Sequence, residues 1–292
     1  MSAPTAGPTR VGAPVRLVCI DLDGTLVGAG GVVHPSVWAA AEALRPAGVR
    51  VAVCTGRPGF GDALAYARRL DGDGWHIFQN GASVLHLGTG ASRSALLDAT
   101  TVQALLAQQA ASGQTLEFYG DRTFAVGASP RDDADRARRH MGLLGASAEP
   151  LSLDAFARAT PVVRAQWMIA HADEDAVLAD PPPGGRLVPS LSPVMPETRF
   201  VSVLAAGADK IVGVRAVADA YGLPLSTVMF VGDGANDAAA MAAVGAAGGR
   251  AVAMANAEPE AIAVATRIVG HVDAGGLADA LADALILVRD VA

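Results

Sequence analysis

The sequence predicts an α/β protein with a parallel-sheet core that is interrupted by an inserted α+β domain. Three observations carry this expectation. Short apolar runs alternate with helical stretches at both ends of the chain, as in a parallel sheet covered by helices. The middle carries hairpin signals and more charge. The first pattern then resumes after a proline-rich loop. At 292 residues the chain is long enough for one large or two moderate domains. The expected division is a disordered tail over 1–14, a core from 15–86 and 205–292, and an insertion over 87–204.

The elements follow in order. Residues 15–20 form a run that is apolar except for Arg16, the pattern of a strand buried on both faces. Pro35 opens a helix to Ala47, with Gly48 placed to end it. A second buried strand covers 49–54. Pro58 is expected to open the next helix, to about Leu70. A third strand over 76–79 ends at Asn80-Gly81. In the insertion, 98–111 reads as a helix. Strands over 115–119 and 122–126 flank Gly120-Asp121, a hairpin turn. A charged helix over 130–141, a strand over 162–170 and a short helix over 173–178 follow. Pro181-Pro182-Pro183 then enforces a loop. The final stretch reads helix 209–221, strand 227–231, helix 238–244, strand 250–254, helix 259–266, strand 267–269 and helix 276–288.

Composition narrows the function. There are 22 Lys+Arg against 29 Asp+Glu, a net charge of −7, which argues against a general nucleic-acid binder. Mean hydropathy is positive, but alanine drives it, and no apolar run approaches the roughly 20 residues of a membrane span. The N-terminus has no apolar signal-peptide region. Cys19 and Cys54 lie in apolar strand-like runs and read as reduced core thiols of a cytoplasmic protein. The basic residues are 21 Arg and a single Lys, Lys210.

Ligands of open parallel sheets collect beyond the carboxyl ends of the strands. Three polar loops fall there: Asp21-Leu22-Asp23-Gly24-Thr25, Thr55-Gly56-Arg57-Pro58 and Gly232-Asp233-Gly234-Ala235-Asn236-Asp237. Asp21 and Asp23 are two apart, so in extended backbone they share a face. Asp233 and Asp237 are four apart at a strand-to-helix junction. Carboxylates gathered this closely need a divalent cation or a shared proton, and an all-oxygen set suits Mg²⁺. An acidic turn and a helix cap are the plainer readings of each pair alone. Thr55-Gly56 offers a hydroxyl and an N–H just before a helix, a weak anion-site signal. Lys210 opens the helix before the 227–231 strand. A compact ammonium suits a position between a carboxylate and a phosphoryl group better than the planar Arg fork.

Taken in order with Ala208-Asp209-Lys210, these segments resemble the four motifs of the haloacid dehalogenase (HAD) superfamily. More closely, the chain resembles its Cof-type, subclass IIB phosphatases. Asn80-Gly81-Ala82 and Val252-Ala253-Met254-Ala255-Asn256-Ala257 match further signatures of that group. The resemblance covers about 15–290, with the middle matching in pattern more than in residues. It implies a Rossmann-like core with an inserted α+β cap, and a Mg²⁺-dependent phosphatase acting on small phosphate monoesters such as sugar phosphates. Asp21 would be the nucleophile, forming an aspartyl-phosphate. Asp23 would protonate the leaving alkoxide and then deprotonate the hydrolytic water. Thr55, Gly56, Lys210 and Asn236 would hold phosphate oxygens. Mg²⁺ would bind Asp21, the Asp23 carbonyl and Asp233, with Asp237 behind them. Asn236 and Asp237 would orient phosphate, Lys210 or metal-bound water.

Substrate choice is expected from the cap, with Arg57, Glu117, Tyr119, Arg122, Arg164 and Gln166 as candidate contacts. A solvated sheet face is the plainer expectation for each of the cap residues. The six histidines show no metal-ligand spacing, and Trp38, Trp75 and Trp167 read as packing residues. The expected partner is a small phosphorylated metabolite, not nucleic acid or membrane, for a monomer or homodimer. A phosphosugar mutase can share this core and cap, although the Thr55-Gly56-Arg57-Pro58 segment favours a hydrolase. A non-catalytic regulatory protein on this fold is the third reading, but such proteins usually lack a nucleophile or metal ligand, and none is missing here.

Overall fold

The structure, a computed structural model, describes residues 13–127, 134–192 and 194–289. In chain order the elements are β1 (Leu17–Ile20), α1 (Pro35–Leu44), β2 (Arg50–Val53), α2 (Gly61–Asp71), β3 (Trp75–Phe78), β4 (Ser83–His86), α3 (Ala99–Ser112), β5 (Thr115–Tyr119) and β6 (Phe124–Gly127). They continue as α4 (Ala134–Leu144), α5 (Leu153–Ala159), β7 (Arg164–Ala170), α6 (Glu174–Leu178), β8 (Gly185–Leu191), β9 (Thr198–Ala205) and α7 (Lys210–Ala220). The chain closes with β10 (Val228–Gly232), α8 (Ala235–Ala246), β11 (Arg250–Ala253), α9 (Pro259–Val264), β12 (Arg267–Ile268) and α10 (Gly276–Arg289). No helix among the described residues is long and apolar enough to cross a membrane.

The chain divides into two compact units, one of residues 1–51 and 218–292 and the other of residues 52–217. The first unit is built on the sheet ordered β12-β11-β10-β1-β2. β1 pairs parallel with β10, Ile20 opposite Val231, and β10 pairs parallel with β11, Gly232 opposite Ala253. Every residue of β1 and β10 is buried, which is why both read as continuous apolar runs. α1 packs against α10, and α8 against α9, β10 and β11. α1 starts where Pro35 predicts, but ends at Leu44 and passes into a 3-10 turn over Arg45–Ala47. Gly48 then stops the chain in the left-handed conformation.

The second unit holds the antiparallel sheet β6-β5-β7-β9-β8 and the β3–β4 hairpin. Leu116, Phe118, Ala165, Trp167, Val201 and Val203 turn one face of the large sheet into a core with Val102 and Leu105 of α3 and Leu153 and Phe156 of α5. That alternation is the period of two expected of a strand.

Several expectations change here. Pro58 does not open a helix. α2 begins at Gly61, after Phe60 in extended backbone, and Gly61 has φ +58 with no room for a Cβ beside the Leu144 carbonyl. The third strand stops at Phe78, because Gln79 and Asn80 both adopt positive φ, and the chain turns back as β4, a strand the sequence reading did not include. α5, β8 and β9 also were not foreseen. The hairpin is found, but its second strand starts at Phe124, which leaves Arg122 exposed in the turn. The charged helix runs over Ala134–Leu144. Its expected opening at 130–133 lies outside the described residues, as do residues 1–12 of the tail expected over 1–14.

Candidate active site

In the first unit, β1 and β10 end side by side and deliver Asp21 and Asp233. Asp237 joins them from the first turn of α8. Among the described residues, Asp21, Asp233 and Asp237 offer carboxylate oxygens all within 4.8 Å of one another. Asp21 and Asp237 are buried, and Asp233 half-buried. Three carboxylates in that space repel unless a cation or a proton lies among them. Hard oxygen donors are what Mg²⁺ takes, so the residues fit such an ion. Asp23 lies in the turn after β1 with its side chain exposed.

Neighbouring residues hold this geometry. Thr25 Oγ1 donates to Asp233 Oδ1 at 2.8 Å. Asp237 Oδ2 accepts the N–H groups of Asp233 (3.1 Å) and Gly234 (3.0 Å), closing the loop before α8. Asp237 thus both caps a helix start and faces the other acids. Two glycines are required by close approach. Gly24 has φ +80, and a Cβ there would overlap Asp233 Oδ2. A Cβ on Gly232 would come within 2.6 Å of the Asp237 carboxyl carbon.

Asn256 was quoted within a motif but given no role by sequence reasoning. Its Nδ2 donates to the Gly24 carbonyl at 2.8 Å and lies 3.4 Å from Asp233 Oδ2, while its Oδ1 accepts from Val272 N–H at 3.0 Å. It ties together the loops that carry Asp23 and Asp233. Asn236 is exposed at the second position of α8.

In the second unit, Thr55 and Lys210 are both buried. The turn over Gln79–Gly81 brings their segments together. Asn80 N–H donates to the Thr55 carbonyl at 2.9 Å, and a Cβ on Gly81, at φ +89, would overlap the Asp209 carbonyl and lie 3.0 Å from Lys210 N. Thr55 Oγ1 accepts the Arg57 N–H at 3.1 Å, and Arg57 is half-buried.

The candidate cap residues are not a solvated face. Glu117, Tyr119, Arg164 and Gln166 are all buried. Tyr119 Oη donates to Glu117 Oε2 at 2.5 Å, and Gln166 Nε2 donates to the same oxygen at 3.1 Å. His140 of α4, which the sequence reading set aside with the other histidines as lacking metal-ligand spacing, sits 3.0 Å from Glu117 Oε1. Burial first, and the Glu117 charge second, hold the Tyr119 phenol well above its ordinary pKa, so it remains a donor. The Arg164 guanidinium lies 4.0 Å over the Tyr119 ring and donates from Nη1 to the Gly56 carbonyl at 3.2 Å.

The family model of haloacid dehalogenase-like hydrolases matches residues 18–150 and 187–281, which include the segments of Asp21, Thr55, Lys210, Asp233 and Asn256 but not Arg164 and Gln166. The chain belongs to the haloacid dehalogenase-like hydrolases. No curated protein matches it. Solved structures of this HAD hydrolase's fold include a hypothetical protein from Geobacillus kaustophilus HTA426. That structure has 24% identity and TM-score 0.77, and the match covers 94% of this chain and 99% of that one. A HAD phosphatase, BT1666 from Bacteroides thetaiotaomicron, has 21% identity and TM-score 0.76, covering 96% and 99%. The HAD subclass IIB sugar phosphatase BT4131 has 23% identity and TM-score 0.72, covering 92% and 98%. The shared fold is a parallel-sheet core with an antiparallel-sheet cap.

Proposed function

We propose that this HAD hydrolase is a Mg²⁺-dependent phosphatase for small phosphate monoesters, sugar phosphates or related metabolites, acting through an aspartyl-phosphate on Asp21. The observation that carries this reading is the Asp21, Asp233 and Asp237 cluster at the ends of β1 and β10. Segment 87–204 acts as the cap. Asp21, Asp233 and the Asp23 carbonyl would hold the ion, with Asp237 behind them. When bound, the ion offsets the repulsion between a carboxylate nucleophile and an anionic ester.

Asp21 attacks phosphorus with one carboxylate oxygen, and the ester P–O bond breaks. The departing alkoxide takes a proton from Asp23, which lies exposed in the turn after β1. Asp23 then accepts a proton from water as the water oxygen attacks phosphorus. The Asp21–phosphorus bond breaks, releasing inorganic phosphate and the free carboxylate. Thr55, the Gly56 N–H, Lys210 and Asn236 take phosphoryl oxygens. A buried ammonium such as Lys210 is stable only among anionic or polar partners, which supports that role. The transition state of phosphoryl transfer is loose, so positioning and charge carry most of the rate. Thr25, Asn256 and Asp237 serve it by fixing the loops.

The test is phosphate release across a metabolite panel with and without Mg²⁺, on wild type and Asp21→Asn. Release that needs Mg²⁺ and vanishes in the variant is expected. Retained release in Asp21→Asn refutes the nucleophile, and isomerised sugar phosphate without free phosphate refutes the hydrolase.

A further inference from the structure

We propose that Asn80 is a further phosphate-binding residue, its side-chain amide donating to the same phosphoryl group as the Gly56 N–H. This rests on the phosphatase reading above. Asn80 belongs to the turn between β3 and β4, and that turn lies against both segments of the second unit assigned to phosphate. Asn80 N–H donates to the Thr55 carbonyl at 2.9 Å, and the next residue, Gly81, abuts the Asp209 carbonyl and Lys210 N.

The Asn80 side chain lies on the loop. A Cβ at Gly56 would come 3.2 Å from Asn80 Oδ1, 3.3 Å from Nδ2 and 3.5 Å from Cγ. The amide therefore rests against Gly56, and a side chain at position 56 would push it aside. This surface is open to solvent. Thr55, Gln79 and Gly81 are buried, whereas Gly56, Arg57 and Asn80 are half-buried. Asn80 is thus the residue of the turn that a ligand at Gly56 can reach.

The backbone supports the same assignment. Gln79 and Asn80 follow one another at φ +53 and +55, the two non-glycine residues with positive φ among the described residues. Such conformations are unfavourable for residues with a Cβ and concentrate at functional sites. Packing holds them here. Gln79 N–H donates to the Arg57 carbonyl at 2.9 Å, and Gln79 Nε2 donates to the Gly120 carbonyl at 3.0 Å. For the turn alone, glycine at position 80 would serve, because it takes positive φ without steric cost. Asparagine tolerates that conformation and adds two N–H donors. A neutral donor suits a phosphoryl oxygen and leaves the charge to Lys210.

The experiment measures kcat/KM for p-nitrophenyl phosphate with Mg²⁺, the inhibition constant of inorganic phosphate, and Tm, in wild type, Asn80→Gly and Asn80→Asp. Asn80→Gly keeps the N–H to Thr55 and suits the turn, so Tm is expected to stay close to wild type. Its kcat/KM is expected to fall at least about tenfold, the loss of one hydrogen bond to a charged group, with phosphate inhibition weakened in step. Asn80→Asp keeps the size and the tolerance of positive φ but sets a carboxylate against the phosphoryl oxygens, so its loss is expected to be larger. Either variant with wild-type kcat/KM overturns the assignment and leaves Asn80 as a turn residue. A rate that falls while phosphate inhibition is unchanged overturns it too. Should Asn80→Gly lower Tm, Asn80→Asp decides alone. A wild type that releases no phosphate from this ester or from the metabolite panel overturns the phosphatase reading itself, and this assignment with it.

Discussion

His76 makes acid stability a sharp test of the second unit. It lies in β3, fully buried, with Nδ1 accepting the Val53 N–H at 3.1 Å and Nε2 donating to the Asp71 carbonyl at 2.8 Å. That pairing requires the neutral ring with its proton on Nε2. Burial pushes its pKa down to about 4, although the Asp71 carbonyl and carboxylate pull the other way and His86 adds a smaller lowering. The unfolded chain binds the proton near 6.5, so between 6.5 and 4 it holds more protons than the native state. Stability contributed by neutral His76 is therefore complete above about pH 6.5 and is lost as pH falls toward 4. Linkage gives a loss of about 2 kcal/mol between pH 7.5 and pH 5. Urea unfolding of wild type and His76→Gln across that range measures it, because glutamine keeps an acceptor and a donor but does not titrate. The wild-type stability should fall by about 2 kcal/mol more than that of the variant. Parallel pH profiles would show that His76 titrates natively as it does unfolded, and the reasoning would fail.

Two further substitutions test the site. Gly24→Ala places a methyl group on Asp233 Oδ2 at a φ of +80, so kcat/KM should fall roughly 100-fold, the scale of a 1 Å misplacement; wild-type phosphate release would sink the argument. Lys210→Arg keeps the charge but enlarges a side chain that is 1% exposed, so turnover should drop by at least about tenfold. Unchanged turnover would remove Lys210 from the phosphate-holding set.

The core of the fold was legible because its strands are buried on both faces and bounded by helix signals. β1, β10 and β11 lie within a residue or two of their apolar runs. The insertion was read less well. β8 is an edge strand carrying Pro189 and largely exposed, a composition that resembles a loop. β9 finds its partner in β7, with Arg164 opposite Leu204, across a separation that no local pattern announces. α5 has only seven residues, too few for a clear period. Pro58 is compatible with a helix start, but the loop it sits in is tied elsewhere, through Arg57 to Thr55 Oγ1 and Gln79.

By itself the sequence determined the α/β class, the order of the motif segments and the identities of the acids, because these depend on local burial patterns and on residues that follow one another. Tertiary structure alone decided how those residues divide their work. It gathered Asp237 with Asp21 and Asp233 while leaving Asp23 exposed, and it assigned Asn256 and Thr25 to hold the loops. It also turned Glu117, Tyr119 and Gln166 from a presumed wet surface into a buried network with His140. The physical reason is the same in each case. A buried polar atom must find its partner wherever packing brings one, and many of those partners, such as Asp233 for Thr25 and Gly24 for Asn256, lie far away in the chain.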